Sequence, residues 1–474
     1  MRHHKGMQTV ISAGLLYIAP SVVDCGHVRA QVIADISGQT EERQVTTASH
    51  GHIVANYNIW SPDSKWIAYD CRNKGEAFDA TRIECVNADT GEVRCIYEAR
   101  NGATCGVATW HPGKKRVVFI LGPDNPARDW SYAPSRRRGL VVDLDHPGEG
   151  RALDAMNYAP PFAPGALRGG SHVHVFDGAG EWVSFTYDDE ILTCAGGRDG
   201  AEPNQRNIGV AAPFGPVRVN RNHPRNHDGG WFTFVASKTV AVPAPGSDEI
   251  SQAAEEGWIG ANGYIRADGS RQRRALAFQG MVTALNGHRH AEVFVLDLPE
   301  DPTIAGGAPL QGTGTTRPSP PRGAVQRRIT YTDDRKHPGI QGPRHWLRSS
   351  PDGAAIAFLM KDDSGTPQLH IISPHGGGIR QVTRNPWAIT STFTWSPDGR
   401  WIAYAMDNSI FVTEVTSGRA HRLTARTEDA ASPHRSACVF SPDGSRIAYL
   451  RKIASHLQIF TVTMPNSGGK PMVH

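Results

Sequence analysis

After its first 30 residues, this 474-residue chain has no apolar run long enough to span a bilayer. It also lacks an excess of one charge. Its 50 Lys and Arg against 46 Asp and Glu leave a net charge of +4, which gives no support for a nucleic-acid surface. Cysteine is sparse, with seven in the chain, and no spacing resembles a zinc site. There is no Gly-x-Ser-x-Gly elbow and no phosphate-binding loop. Those two absences argue against a serine-elbow hydrolase and a P-loop nucleotidase.

The N-terminus points outward. Arg2, His3, His4 and Lys5 precede the run Met7 to Val23, and Val28-Arg29-Ala30 offers small residues at cleavage spacing. Residues 1–30 are therefore expected to be a signal peptide, and the protein periplasmic or secreted. A disordered cytosolic N-terminus is the alternative. In an oxidising compartment Cys85 and Cys95, flanking the turn Asn87 to Gly91, could form a bridge. Buried free thiols are the other reading.

What the chain does have is a repeat. Trp60-Ser61-Pro62-Asp63 with Trp66-Ile67-Ala68-Tyr69 returns as Trp395-Ser396-Pro397-Asp398-Gly399 with Trp401-Ile402-Ala403-Tyr404. It returns again as Phe440-Ser441-Pro442-Asp443-Gly444 with Ile447-Ala448-Tyr449. Weaker copies start at Ser350, Trp110 and Phe176. Each copy is strand, Pro-Asp-Gly turn, strand, and a second hairpin follows most of them. Four strands per repeat predict an all-β, seven-bladed β-propeller over residues 43–474.

The seventh unit is degenerate. Trp231 to Val235 is expected to be its first strand and Ala275 to Phe278 its second, with a long insertion over 241–274 between them. Residues 306–323, rich in Pro and Gly, are expected to be a loop. Arg43-Gln44-Val45-Thr46-Thr47 resembles the fourth strand Arg380 to Arg384, so the N-terminal strand should complete the last blade.

A propeller brings the starts of its first strands and the ends of its second strands to one channel mouth. Those positions include His52, Arg72, His172, Tyr187, Arg344, His345 and Arg435, with Arg168 just upstream of one strand. Such a ring suits an anionic, hydroxyl-rich ligand. Gly169-Gly170-Ser171-His172-Val173-His174-Val175-Phe176 alternates, which places His172 and His174 on one face. Its hairpin partner ends in Tyr187, Asp188 and Asp189. Channel packing is the alternative for His174. His111 replaces the repeat's serine and reads as structural.

Leu167 to Phe176, Gly209 to Pro216, Pro245 to Ile250 and Pro343-Arg344-His345-Trp346 resemble the YidR-like family of bacterial proteins. The resemblance runs over nearly all of the chain after about residue 45. More distantly, the chain is similar to propeller polysaccharide lyases acting on oligogalacturonate or on rhamnose-glucuronate linkages. This resemblance implies β-elimination at a uronic acid, with a histidine or metal-assisted base, a tyrosine and arginines. His172 is then the expected base and Tyr187 the donor to the leaving oxygen, with His174 beside them. Arg168, Arg344 and His345 would clamp the carboxylate, and His52 and Arg72 would contact further hydroxyls. A divalent metal, Ca or Mn, would lie near the mouth, with an anionic oligosaccharide as the partner. The Trp-Ser-Pro-Asp-Gly repeats also resemble TolB-type binding propellers. A glycoside hydrolase using Asp188, Asp189 or Asp407 is a third reading.

Overall fold

The computed structural model describes residues 33–72, 77–436 and 438–465. The expected signal peptide lies outside them. Seven four- or five-stranded sheets follow one another along the described chain, with two small two-stranded ribbons beside them. Blade 1 holds Gly51–Ile53, Trp66–Arg72, Arg82–Asn87 and Val93–Glu98. Blade 2 runs from Cys105–Trp110 to Gly150–Ala152, and blade 3 from Gly169–Phe176 to Phe232–Val235. Blade 4 opens on Ala253–Trp258, blade 5 on Arg348–Ser349, blade 6 on Thr394–Trp395 and blade 7 on Val439–Phe440.

The N-terminal strand Glu42–Gln44 pairs antiparallel with His456–Thr463 and completes blade 7. This pairing closes a seven-bladed propeller and covers an edge that would otherwise be open to another chain. Ile33–Asp35 adds a parallel fifth strand to the outer edge of blade 6. No helix among the described residues is long and apolar enough to cross a membrane.

The repeat builds the fold through two devices. In four turns a serine hydroxyl donates to the aspartate two residues on and accepts the backbone N–H that starts the second strand. These are Ser61, Ser350, Ser396 and Ser441. In blade 2 the ring of His111 takes that role, its Nδ1 accepting from the N–H groups of Gly113 and Lys114 at 2.9 and 3.0 Å. The second device is the inner-strand tryptophan. Trp60, Trp258 and Trp395 each donate their indole N–H to a backbone carbonyl of the preceding blade, at 2.9–3.0 Å. The apolar clusters accordingly lie between neighbouring blades. Phe185, for instance, packs with Val118 and Val141 of blade 2.

Trp258 exposes an error in the expected strand order. Phe232–Val235 is the outer strand of blade 3, and the expected insertion over 241–274 contains the true inner strand of blade 4, Ala253–Trp258. That strand carries the repeat's aromatic but lacks its Ser-Pro-Asp-Gly turn. The cysteine bridge is not formed either. Strand register pairs Cys95 with Glu84 and Cys85 with Arg94, so Cys85 is buried and Cys95 exposed. All six described cysteines are free.

Candidate functional site

Three inner strands carry a bulge at the same level. The register shifts between Gly106 and Thr109, between His172 and Val175, and between Ala254 and Gly257. At each bulge one non-glycine residue has positive φ: Val107 at 59°, Val173 at 57° and Glu255 at 53°. A β-branched residue in that region is strained, at a cost of order 1–3 kcal/mol. The bulge re-aims side chains, and this decides what the two histidines do.

Because of the bulge, His172 and His174 do not share a face. His172 lines a cavity of about 300 Å³ at the mouth of the channel. His174 is fully buried, its Nε2 2.9 Å from Ser171 Oγ, which donates to Asp154 Oδ2 at 2.7 Å. Burial lowers the His174 imidazole to about 3 and raises the Asp154 carboxyl to about 6. This buried network belongs to the contact between blades 2 and 3, and His174 has no catalytic position.

The cavity is ringed by cations. Arg72, Arg137, Arg344 and Arg435 line it together with His172 and the indole of Trp346. Arg72 is paired with Asp70 at 2.6 Å, and Arg344 with Glu255 at 2.7 Å. Arg137 donates to Tyr132 Oη at 2.7 Å. Burial and the charges of Arg137, Arg344 and Arg206 hold the His172 imidazole well below its usual range, so it is neutral. His172 Nδ1 and Trp346 Nε1 are buried with no hydrogen-bond partner among the described residues. A ligand rich in oxygen would satisfy both.

The other expected residues fall elsewhere. Tyr187 is 1 % exposed in the core between blades 2 and 3, its hydroxyl 3.1 Å from Asp189 Oδ2. It cannot reach the mouth as a proton donor. Arg168, also 1 % exposed, binds Asp189 at 2.8 Å and the backbone carbonyls of Thr313 and Thr316. It anchors the 306–323 loop to blade 3 rather than clamping a ligand. His345 uses both ring nitrogens on backbone, Nδ1 with Pro343 O at 2.8 Å and Nε2 with Leu359 N–H at 3.1 Å. His52 is buried with Nδ1 3.1 Å from Leu457 O, against blade 7. Of the eight residues expected at the site, His172, Arg72 and Arg344 converge on the cavity.

Arg137, Glu255 and Glu256 were not expected. Arg137 comes from the loop after the second strand of blade 2, where the mouth rule applied to that blade points. Glu255 and Glu256 were hidden inside the supposed insertion. Glu256 accepts from Thr186 Oγ1 at 2.9 Å, and burial raises its carboxyl to about 8. Thr186 is the strand partner of His172.

Two groups of side chains could hold a metal among the described residues: His50, Cys71 and Glu84, and His290, Glu292 and Asp333. Neither lines the mouth cavity. Its lining holds four arginines and no carboxylate, whereas a Ca or Mn ion takes oxygen ligands, carboxylates foremost. The mouth does not fit a Ca or Mn site.

Residues 104–227 match a family described as a protein of unknown function, DUF3748. Residues 377–474 match the dipeptidyl peptidase IV N-terminal region. Among solved structures, an oligogalacturonate lyase in complex with manganese superposes with a TM-score of 0.51 at 13% identity, over 92% of this chain and 96% of that one. An oligogalacturonate lyase from Vibrio parahaemolyticus gives 0.52 at 11% identity, with the same coverage. Both share the propeller fold with this chain. TolB of Anaeromyxobacter dehalogenans is 36% identical over 135 residues, 27% of this chain and 29% of that protein. YidR of Escherichia coli K12 is 46% identical over 414 residues, 86% of this chain and 94% of its own length. That extent of identity decides the matter: the chain belongs to the YidR family.

Proposed function

We propose that this propeller binds the uronate residue of an anionic oligosaccharide at its mouth and cleaves the glycan by β-elimination. The observation that carries the reading is a neutral histidine, His172, set among Arg72, Arg137, Arg344 and Arg435 in one cavity. The proton at C5 of a uronate is weakly acidic because it lies next to the carboxylate. Guanidinium groups that bind the carboxylate stabilise the charge that develops as that proton leaves. A base must also be unprotonated, and burial among positive charges keeps His172 so. Once a carboxylate neutralises the arginines, the imidazole is released toward its ordinary range, where it accepts a proton more readily.

The step balances as follows. His172 takes the C5 proton, the C5–H electron pair forms the C4–C5 double bond, and the C4–O4 bond breaks. The leaving oxygen takes its proton from water at the open mouth. A paired-carboxylate hydrolase is less well supported. Asp188 is paired with Arg206 at 3.3 Å, Asp189 with Arg168, and Asp407 with Arg422 at 2.6 Å and Arg426 at 2.9 Å. Export directed by residues 1–30 would bring the mouth into contact with such glycans.

The test is incubation with a panel of uronate oligosaccharides and polysaccharides, followed by ultraviolet absorbance. The expected product carries the conjugated C4–C5 double bond, and His172→Ala abolishes it. Reducing sugar without the chromophore would indicate hydrolysis. No product from any uronate would remove the lyase reading.

A further inference from the structure

Blade 1 carries a second cluster that the mouth chemistry does not use. Two of its strands and the residue just before a third bring one metal-binding group each to a single point. His50 immediately precedes the inner strand, Cys71 is on the second strand and Glu84 on the third. One ligand atom from each lies within 4.8 Å of the others. Cys71 alternates with Asp70 and Arg72 along its strand. The cluster therefore occupies the opposite face of the strand from Arg72, and Cys71 packs in the core shared with blade 7.

We propose that His50, Cys71 and Glu84 form a binding site for a zinc-class transition metal ion. The donor set is a thiol, an imidazole and a carboxylate. A thiolate selects zinc-like ions over calcium, magnesium or manganese. With both Cys71 and Glu84 ionised, two negative charges balance a divalent cation. Three protein ligands leave a fourth tetrahedral position open to water. Binding breaks the Cys71 S–H bond, forms a sulfur–metal bond and releases one proton to solvent.

The surroundings of the cluster support this assignment. The Nδ1 of His50 lies 3.3 Å from the carbonyl of Gly51. That contact favours the Nδ1–H tautomer and leaves Nε2 as the free lone pair, the usual second contact of a ligating histidine. Glu84 is oriented by the hydroxyl of Tyr69 at 2.7 Å and approached by Arg82 at 3.3 Å. Cys71 and Glu84 are buried, whereas His50 is partly exposed and gives the ion a way in. His290, Glu292 and Asp333 make a poorer site. Arg328 already bridges Glu292 and Asp333 at 3.1 and 3.0 Å, supplying the cation there.

The site is independent of the reaction at the mouth, and its test does not read activity. The full chain is reduced, stripped with chelator and titrated with Co²⁺. The expected result is one equivalent bound, with a near-ultraviolet thiolate-to-cobalt charge-transfer band that zinc displaces. Cys71→Ser abolishes the band with an unchanged near-ultraviolet circular dichroism spectrum. His50→Ala, on the partly exposed side, weakens affinity about tenfold or more and serves if Cys71→Ser does not fold. Absence of the band in the parent overturns the proposal and leaves a thiol–carboxylate hydrogen bond. A band that survives Cys71→Ser and disappears in Cys95→Ser or Cys194→Ser overturns it as well.

Discussion

His345 offers a way to separate a structural histidine from a ligand-binding one by pH. Its Nδ1 faces Pro343 O at 2.8 Å and its Nε2 accepts from Leu359 N–H at 3.1 Å. The Nε2 bond requires the neutral ring, because protonating Nε2 would set two N–H groups against each other, whereas the Nδ1–H bond is kept in either form. Burial lowers the imidazole from 6.5 to about 4. The unfolded chain therefore binds the proton more readily than the folded one, and stability rises with pH. The contribution is complete above pH 6.5 and is lost as pH falls toward 4. At about 1.4 kcal/mol per pH unit, the loss is about 2 kcal/mol at pH 5 and about 3 kcal/mol by pH 4. His345→Gln keeps one donor and one acceptor but cannot titrate. At pH 7.5 it should cost about 1–3 kcal/mol for imperfect bonds. Between pH 7.5 and 5 its stability should fall by about 2 kcal/mol less than that of the parent. Urea unfolding at the two pH values measures the difference. An equal fall in both proteins would show that His345 is not held neutral in the fold, and its assignment to the mouth would reopen.

Arg137→Ala and Arg344→Ala should each weaken uronate binding by about 1.5–3 kcal/mol, roughly 10- to 150-fold, by calorimetry, with unchanged melting temperature. Arg168→Ala should do the reverse, destabilising the fold while leaving binding intact, because its guanidinium holds Asp189 and the 306–323 loop. Glu256→Gln should stabilise the protein, since burial raises that carboxyl from 4.5 to about 8 and ionising it costs folding energy as pH climbs. The gain should be about 2 kcal/mol larger at pH 8 than at pH 6 by urea midpoint, and a flat difference would refute the burial argument. Ser171→Ala removes the hydroxyl between His174 and Asp154 and should cost about 2–5 kcal/mol.

The propeller was legible because its information is local and repeated. A serine that caps a turn through an aspartate two residues on needs only adjacent residues, and four blades use it. The closing strand Glu42–Gln44 was recoverable for the same reason, since it resembles another blade's outer strand. Blade 4 was misread where the local signal stops. Ala253–Trp258 keeps the tryptophan that donates to Val175 O but has no capped turn after it. Its partner strand Ala275–Thr283 begins only after 16 intervening residues, which include a small hairpin of their own between Tyr264–Ile265 and Arg271–Gln272.

The site was less legible, because side-chain direction depends on one backbone angle that composition does not reveal. Alternation puts His172 and His174 together, and the positive φ of Val173 separates them. The outcome is two histidines with opposite surroundings two residues apart. His172 faces four guanidinium groups and an open cavity; His174 faces a serine and a buried carboxyl. The same bulge recurs at Val107 and Glu255. Val107 lines the mouth beside Val173, and the backbone N–H of Val107 donates to Asp70, the partner of Arg72. Glu255 in turn holds Arg344. Strain at three equivalent points thus arranges the ring of charge around His172. Val173→Gly relieves the strain but removes a buried core side chain. It should therefore lower uronate affinity by loosening His172, read by calorimetry, without a gain in melting temperature; unchanged affinity would refute the positioning role of the bulge.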